Sequence, residues 1–189
     1  MGETIEYRNV WRKDDAKVRA DALDLWRSLN ILPPGQEDDR LNSLCVVAYV
    51  GEELAAVSTI GINMFPAVKA KVAWFRCLVK PEYRQRSIAK ELGHRCKDAM
   101  EEWSAGRPAE KVLAYGTIVE SPHLTHISRM PVWPKSGLTL VGHTGKGQQI
   151  RIAWFKHAYF GEKPNTKKRE TATEISNVAG VIESDHALN

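Results

Sequence analysis

The sequence has no Cys-x-x-Cys pair. Its three cysteines, Cys45, Cys77 and Cys96, are far apart and odd in number, which argues against a zinc ribbon, a dithiol redox site and a disulfide framework. They read as small buried residues in a reducing, cytoplasmic setting. No apolar run approaches the ~20 residues of a membrane span, and residues Met1 to Asp15 are too polar and charged for a secretory leader. No block of one charge sign dominates either. There are 27 Lys and Arg against 23 Asp and Glu, a formal net charge of +4, with a pI near 9.0. That mild excess favours an anionic cofactor or substrate without demanding nucleic acid. No internal repeat is found. What remains, 43% hydrophobic and 26% charged over 189 residues, suits one globular domain with a real core.

One stretch organises the chain. The apolar run Val72 to Val79 reads as a buried strand. Pro81 stops it, because proline has no backbone donor for the ladder. After Ser87 the period becomes helical, with Ile88, Leu92, Cys96, Ala99, Met100 and Trp103 on one face. A helix start presents unpaired N–H groups and positive partial charge, and so suits a phosphate. Arg84 and Arg86 add full charge at the same place. The pattern points to an anion there, such as a phosphorylated cofactor.

Around it the chain reads in order. Thr4 to Trp11 is a first strand, and Asp14 or Asp15 caps a helix with the stripe Val18, Ala22, Leu25, Trp26 and Leu29. Asp38 to Asn42 reads as a short second helix. Leu44–Val50 and Leu54–Ile62 form a hairpin about Gly51-Glu52-Glu53, and Asn63 to Lys71 is a connection. The long helix ends near Gly106 and Pro108. Lys111 to Val119 is another strand, and Pro122, Pro131 and Pro134 keep any following helix short. Leu138–Gly142 and Gln149–Phe155 form a second hairpin. Residues 1–160 therefore read as one domain, and 161–189 as a polar, disordered or loosely packed tail.

This order, with the motif Arg84-Gln85-Arg86-Ser87-Ile88-Ala89 entering the long helix, resembles the GNAT superfamily of acyl-CoA-dependent N-acyltransferases. Their signature at this place is Arg/Gln-x-x-Gly-x-Gly/Ala. The resemblance covers roughly residues 4 to 155. It implies an α/β, GNAT-like fold with a mixed central sheet of about six to seven strands and flanking helices. It also implies acetyl-CoA as the acyl donor. The turn Arg84, Gln85, Arg86, Ser87, Ile88 and Ala89 would hold the pyrophosphate of coenzyme A, and the strand backbone at Cys77, Leu78 and Val79 would hold the pantetheine arm and polarise the thioester carbonyl. Ser87 stands where the family has glycine. It is small and a good helix N-cap, and its hydroxyl can bond a phosphate oxygen.

The implied reaction is direct transfer of an acyl group to an amine, which needs a base for the amine and an acid for the leaving thiolate. The central strand carries Arg76 and no carboxylate, so Glu120 at the end of the next strand is the first candidate base. Tyr115 and Ser121 are the candidate donors, with core packing and capping as their alternative roles. His123 and His126 titrate near neutrality; no third ligand stands near them, so no metal is expected. Trp133, Trp154, Tyr159 and Phe65 are either pocket-lining or core aromatics. Alternatives to the enzyme are a non-catalytic acyl-CoA-binding module, and an enzyme acting on a nucleic-acid-linked amine, to which the pI and the basic run Lys163 to Arg169 lend support.

Overall fold

A computed structural model of the chain describes residues 4–33, 35–84, 86–120 and 129–161. Seven strands form one mixed sheet: β1 (Ile5–Asn9), β2 (Leu44–Val50), β3 (Glu53–Phe65), β4 (Ala70–Val79), β5 (Val112–Ile118), β6 (Thr139–His143) and β7 (Gln149–Trp154). Their spatial order is β1-β2-β3-β4-β5-β7-β6. Among the described residues, three α-helices flank the sheet: α1 (Ala16–Ser28), α2 (Glu37–Asn42) and α3 (Ile88–Ala105). The sheet belongs wholly to a compact unit, Met1–Ala158; Tyr159–Asn189 form a second unit, and the tail expected over 161–189 lies almost entirely outside the described residues.

Side-chain alternation assigns the two faces. Val46, Ala48 and Val50 of β2 pack with Ile88, Leu92, Cys96 and Met100 of α3, whereas Val47 and Tyr49 pack with Val18, Ala22, Leu25 and Trp26 of α1. A strand covered on both faces is apolar throughout, and all seven residues of β2 are buried. Asp15 caps α1 by accepting from the Val18 amide at 3.0 Å, satisfying one orphan donor of the first turn.

Two expectations change. The β3–β4 hairpin is longer than the sequence suggests, because Asn63, Met64 and Phe65 pair with Val72, Lys71 and Ala70. The polar Asn63 is therefore a ladder residue, and the reversal is confined to Pro66–Val68 and a left-handed Lys69. The cysteines also divide: Cys45 and Cys96 are fully buried, but Cys77 is exposed.

The pairing that positions the site is at the centre. β4 runs antiparallel to β3 along its whole length, up to Val79 opposite Ala56. On its other side it runs parallel to β5, but only from Lys71–Val112 to Phe75–Thr117. Beyond that point the strands part. Lys80 N still bonds Ala55 O at 2.9 Å on the β3 side, while Val119 N bonds Gln149 O at 2.9 Å on the β7 side. Gly116 sits just before the parting, where a Cβ would lie 2.8 Å from Val72 Cγ1 and 2.9 Å from Trp74.

Candidate functional site

Among the described residues, the parting strands leave the β5-facing edge of Arg76, Cys77, Leu78 and Val79 without a strand partner. Such an edge offers amides and carbonyls to an extended ligand. Next to it the chain turns through Pro81–Tyr83 and enters α3. Ser87 is the N-cap position, but at φ 58° and ψ 13° it is left-handed, and its hydroxyl makes no capping bond. The sequence expectation of side-chain capping is thus corrected. Capping needs an extended residue whose oxygen swings back over the first turn; the left-handed bend does not do this. The same φ explains why glycine suits this position. The amides of the first turn of α3 have no intrahelical acceptor.

Both arginines of the turn are exposed. Arg84 Nε donates to the carbonyl of Val79 at 3.3 Å, so it folds back over the end of β4. The Arg86 guanidinium carbon lies 5.2 Å from the Tyr83 ring centroid. Tyr83 is itself fixed by donating to Glu53 Oε2 at 2.7 Å, while Lys80 bonds the other oxygen of Glu53. Gln85 lies outside the described residues.

A cavity of about 700 Å³ opens between α3, the parted strands and the segment before β6. Ala89, Lys90, Gly93, His94 and Lys97 line it from α3, and Phe75, Arg76, Cys77, Thr117 and Glu120 line it from the strands. Met130, Trp133 and Leu138 close the remaining side. Tyr115 forms its floor with 2% exposure, packed against Phe75 with ring centroids 5.7 Å apart. Its hydroxyl has no hydrogen-bond partner among the described residues, and burial holds its pKa well above the ordinary tyrosine value. The group therefore keeps its proton throughout the neutral range.

Glu120 follows the end of β5, and its Oε1 is 3.5 Å from Arg76 Nη2. Thus the candidate base and the strand arginine face each other across the gap. Ser121, His123 and His126 lie outside the described residues. Among the four aromatics weighed from the sequence, Trp133 lines the cavity. Phe65 instead packs edge-on against Trp74 at 5.3 Å, and Trp154 and Tyr159 are exposed. No cluster of metal-ligating side chains occurs among the described residues. Nor is any described helix long and apolar enough to cross a membrane.

The sequence reading missed Arg151, His94 and Lys97. The two α3 residues had a signal, since Lys90, His94 and Lys97 recur on one helical face. Arg151 had a weaker one, a charged residue between Ile150 and Ile152 within a strand.

The model of the acetyltransferase (GNAT) family matches residues 7–117, more than half of the chain. No curated protein matches the sequence. Solved structures do resemble the fold. A putative acetyltransferase from Salmonella typhimurium, yncA, solved with its cofactor acetyl-CoA, superposes with a TM-score of 0.56 at 11% identity, over 84% of this chain and 98% of the other. The ribosomal-protein-S18-alanine N-acetyltransferase from Escherichia coli gives 0.52 at 11% identity, over 85% and 98%. A GNAT-family acetyltransferase from Streptococcus pneumoniae gives 0.52 at 10%, over 80% and 99%.

Proposed function

The chain belongs to the acetyltransferase (GNAT) family, and from that premise we propose that it transfers the acetyl group of acetyl-CoA directly to a primary amine. The observation that carries this reading is the unpaired β4 edge, which runs from the cavity to the turn before α3. An extended thioester arm ending in phosphates fits that run of unpaired strand followed by a helix start. Backbone groups of Cys77, Leu78 and Val79 bind the arm. The first-turn amides of Ile88 and Ala89 hold the pyrophosphate, with Arg84, Arg86 and Ser87 around it; Gln85 belongs to the same motif in sequence. The thioester supplies the activated acyl carbon.

Glu120 takes the proton from the attacking amine, directly or through a water, as the nitrogen–carbon bond forms and the carbon–sulfur bond breaks. An N–H of the β4 edge stabilises the carbonyl oxygen as charge builds on it. Tyr115, protonated at the floor, and Ser121, next to Glu120 in sequence, are the groups proposed to return a proton to the thiolate.

The second reading, an acyl-CoA-binding module without catalysis, draws its support from the Arg76–Glu120 pair, which engages the candidate base. One experiment separates the two. Acetyl-CoA is added to the protein, and both thermal stabilisation and thiol release over a panel of amines are followed. Stabilisation with amine-dependent release supports the transferase; stabilisation without release supports the module. Absence of stabilisation refutes both. Arg84→Ala should remove most of the shift, and an undiminished shift in that variant would overturn the pyrophosphate assignment.

A further inference from the structure

Arg151 on β7 has 0% exposure, the only arginine among the described buried residues. It pairs with Thr117 of β5, which lines the cavity. Its guanidinium is wrapped by the segment that forms the cavity's third side. Nη2 donates to the carbonyl of Met130 at 2.8 Å. Nη1 donates to Leu138 O at 3.3 Å and lies 3.4 Å from Pro131 O. Nε donates to Gln149 Oε1 at 2.9 Å, on the same strand, which fixes the plane of the fork. The guanidinium carbon is 4.6 Å from the centroid of the Trp133 ring.

One planar group thus gathers carbonyls from both ends of the segment 130–138 and stacks on the ring between them. A lysine has a single ammonium and cannot match that fork. The segment's own backbone closes in the same sense, through Trp133 N to Leu138 O and Leu140 N to Pro131 O, each 2.9 Å. Desolvation pulls the arginine's pKa below its ordinary value. Burying a charge is expensive, and an apolar residue of similar size often serves stability as well or better. What the arginine supplies and an apolar residue does not is a fixed position for these carbonyls. Met130, Trp133 and Leu138, all held in this way, face α3 across the cavity.

We propose that Arg151 is a positioning residue that holds the 130–138 segment as the wall of the cavity and thereby sets the affinity for the acyl-CoA seated against α3. The affinity part rests on the transferase reading above; the wall part does not. Arg151→Lys keeps the charge and gives up the fork, and Gln149→Ala, a milder change, frees the Nε end. The result expected for Arg151→Lys is a cooperative melt, a KM for acetyl-CoA raised about tenfold and kcat changed less than about twofold. Gln149→Ala moves KM in the same direction by less, and serves in place of Arg151→Lys should that variant not fold. A purely structural role would lower the melting temperature and leave KM at the parent value, and that outcome overturns the proposal.

Two backbone amides of the wall give a readout that needs no catalysis, because Trp133 N bonds Leu138 O and Leu140 N bonds Pro131 O, the carbonyls that Arg151 also gathers. Hydrogen exchange at these two amides, followed by mass spectrometry on the folded protein, should be several-fold faster in the variants, with the amides of β2 and β3 still protected. Should the parent fail to bind acetyl-CoA, the transferase reading falls and the wall is judged by this rate alone. Faster exchange upholds it, and an unchanged rate overturns it.

Discussion

Arg76 Nη2 stands 3.5 Å from Glu120 Oε1, so a guanidinium and a carboxylate meet across the gap where β4 and β5 part. Both side chains are more than half exposed, at 57% and 59%, and an exposed pair of this kind contributes about 0–1 kcal/mol to stability. Its consequence is positional. The contact sets the carboxylate at the cavity mouth, where the proposed reaction calls for a proton acceptor.

Glu120→Gln is therefore expected to lower kcat by about 100-fold, since general base catalysis typically supplies a factor of that order or more. Its melting temperature should stay near the parent value, because the group is exposed, and its KM for acetyl-CoA should change little, because the proposed cofactor contacts are made by other residues. Steady-state kinetics with any amine found to be a substrate decides the matter. A kcat equal to the parent's would remove Glu120 from the mechanism.

Ser87 pays for its left-handed backbone, at φ 58°, without recovering a capping bond. An L-residue held there is strained by about 1–2 kcal/mol, part of which glycine gives back through its greater freedom in the unfolded chain. Ser87→Gly should stabilise the fold by about 0.5–1 kcal/mol in urea unfolding, and Ser87→Val should destabilise it by more than that. If the two variants unfold at the same urea concentration, backbone strain is not what distinguishes this position.

Gly116 is constrained by its neighbours instead. A methyl group there would press on Val72 and Trp74 at under 3 Å. Both are ordered parts of the sheet face, so they yield only with repacking. Gly116→Ala is expected to lose about 1–3 kcal/mol, the usual scale for overpacking. Thermal unfolding by circular dichroism would reveal it, and an undisturbed midpoint would show that the face repacks freely.

Asp21 links two helical charges to the sheet. Its Oδ2 accepts from Tyr49 Oη and from Lys17 Nζ, each at 2.7 Å. Burial works to raise its pKa, but the two hydrogen bonds outweigh this and leave it below the usual value. Tyr49 moves the other way, raised by burial and then by the bond to Asp21. The signs follow from linkage. The lowered carboxyl gives stability that is present above its unfolded pKa of about 4 and is lost as pH falls through the folded value. The raised phenol gives stability that is present below about 10 and is lost as pH rises beyond it. Urea midpoints across the pH range should therefore fall on both flanks. Tyr49→Phe should weaken the alkaline fall and leave part of the acid one. Parallel curves for the variant and the parent would contradict the linkage.

Much of the fold was legible because single residues carry local meaning. Leu44–Val50 is unbroken in its apolar character and forms β2 with those same ends. Ile88, Leu92, Cys96 and Met100 recur at helical spacing and are the buried face of α3. Errors arose where pairing overrides composition. Asn63 looks like loop, yet its backbone is claimed by Val72 across the hairpin. The proposed site was legible only at the end proposed for the cofactor, where motif, turn and helix start are contiguous. Arg76 and Glu120 are 44 positions apart, and they meet only because two strands diverge between different neighbours. Arg151 takes its meaning from carbonyls of residues 130, 131 and 138, and no sequence pattern records which carbonyls a side chain will find.

The single parallel junction in the sheet also sets an order of assembly. β2, β3 and β4 are joined by neighbouring antiparallel pairings and succeed one another through short reversals. Contacts of that kind close small loops and form early. β5 joins β4 only after the whole of α3 has been laid down between them, so that contact closes the longest loop in the sheet's centre. A chain folding from its N-terminus would complete the half that holds β4 first and acquire the cleft last. By the same logic, the cleft is the place where the native protein should first come apart under strain, with hydrogen exchange in β5 and β7 outpacing that in β2 and β3.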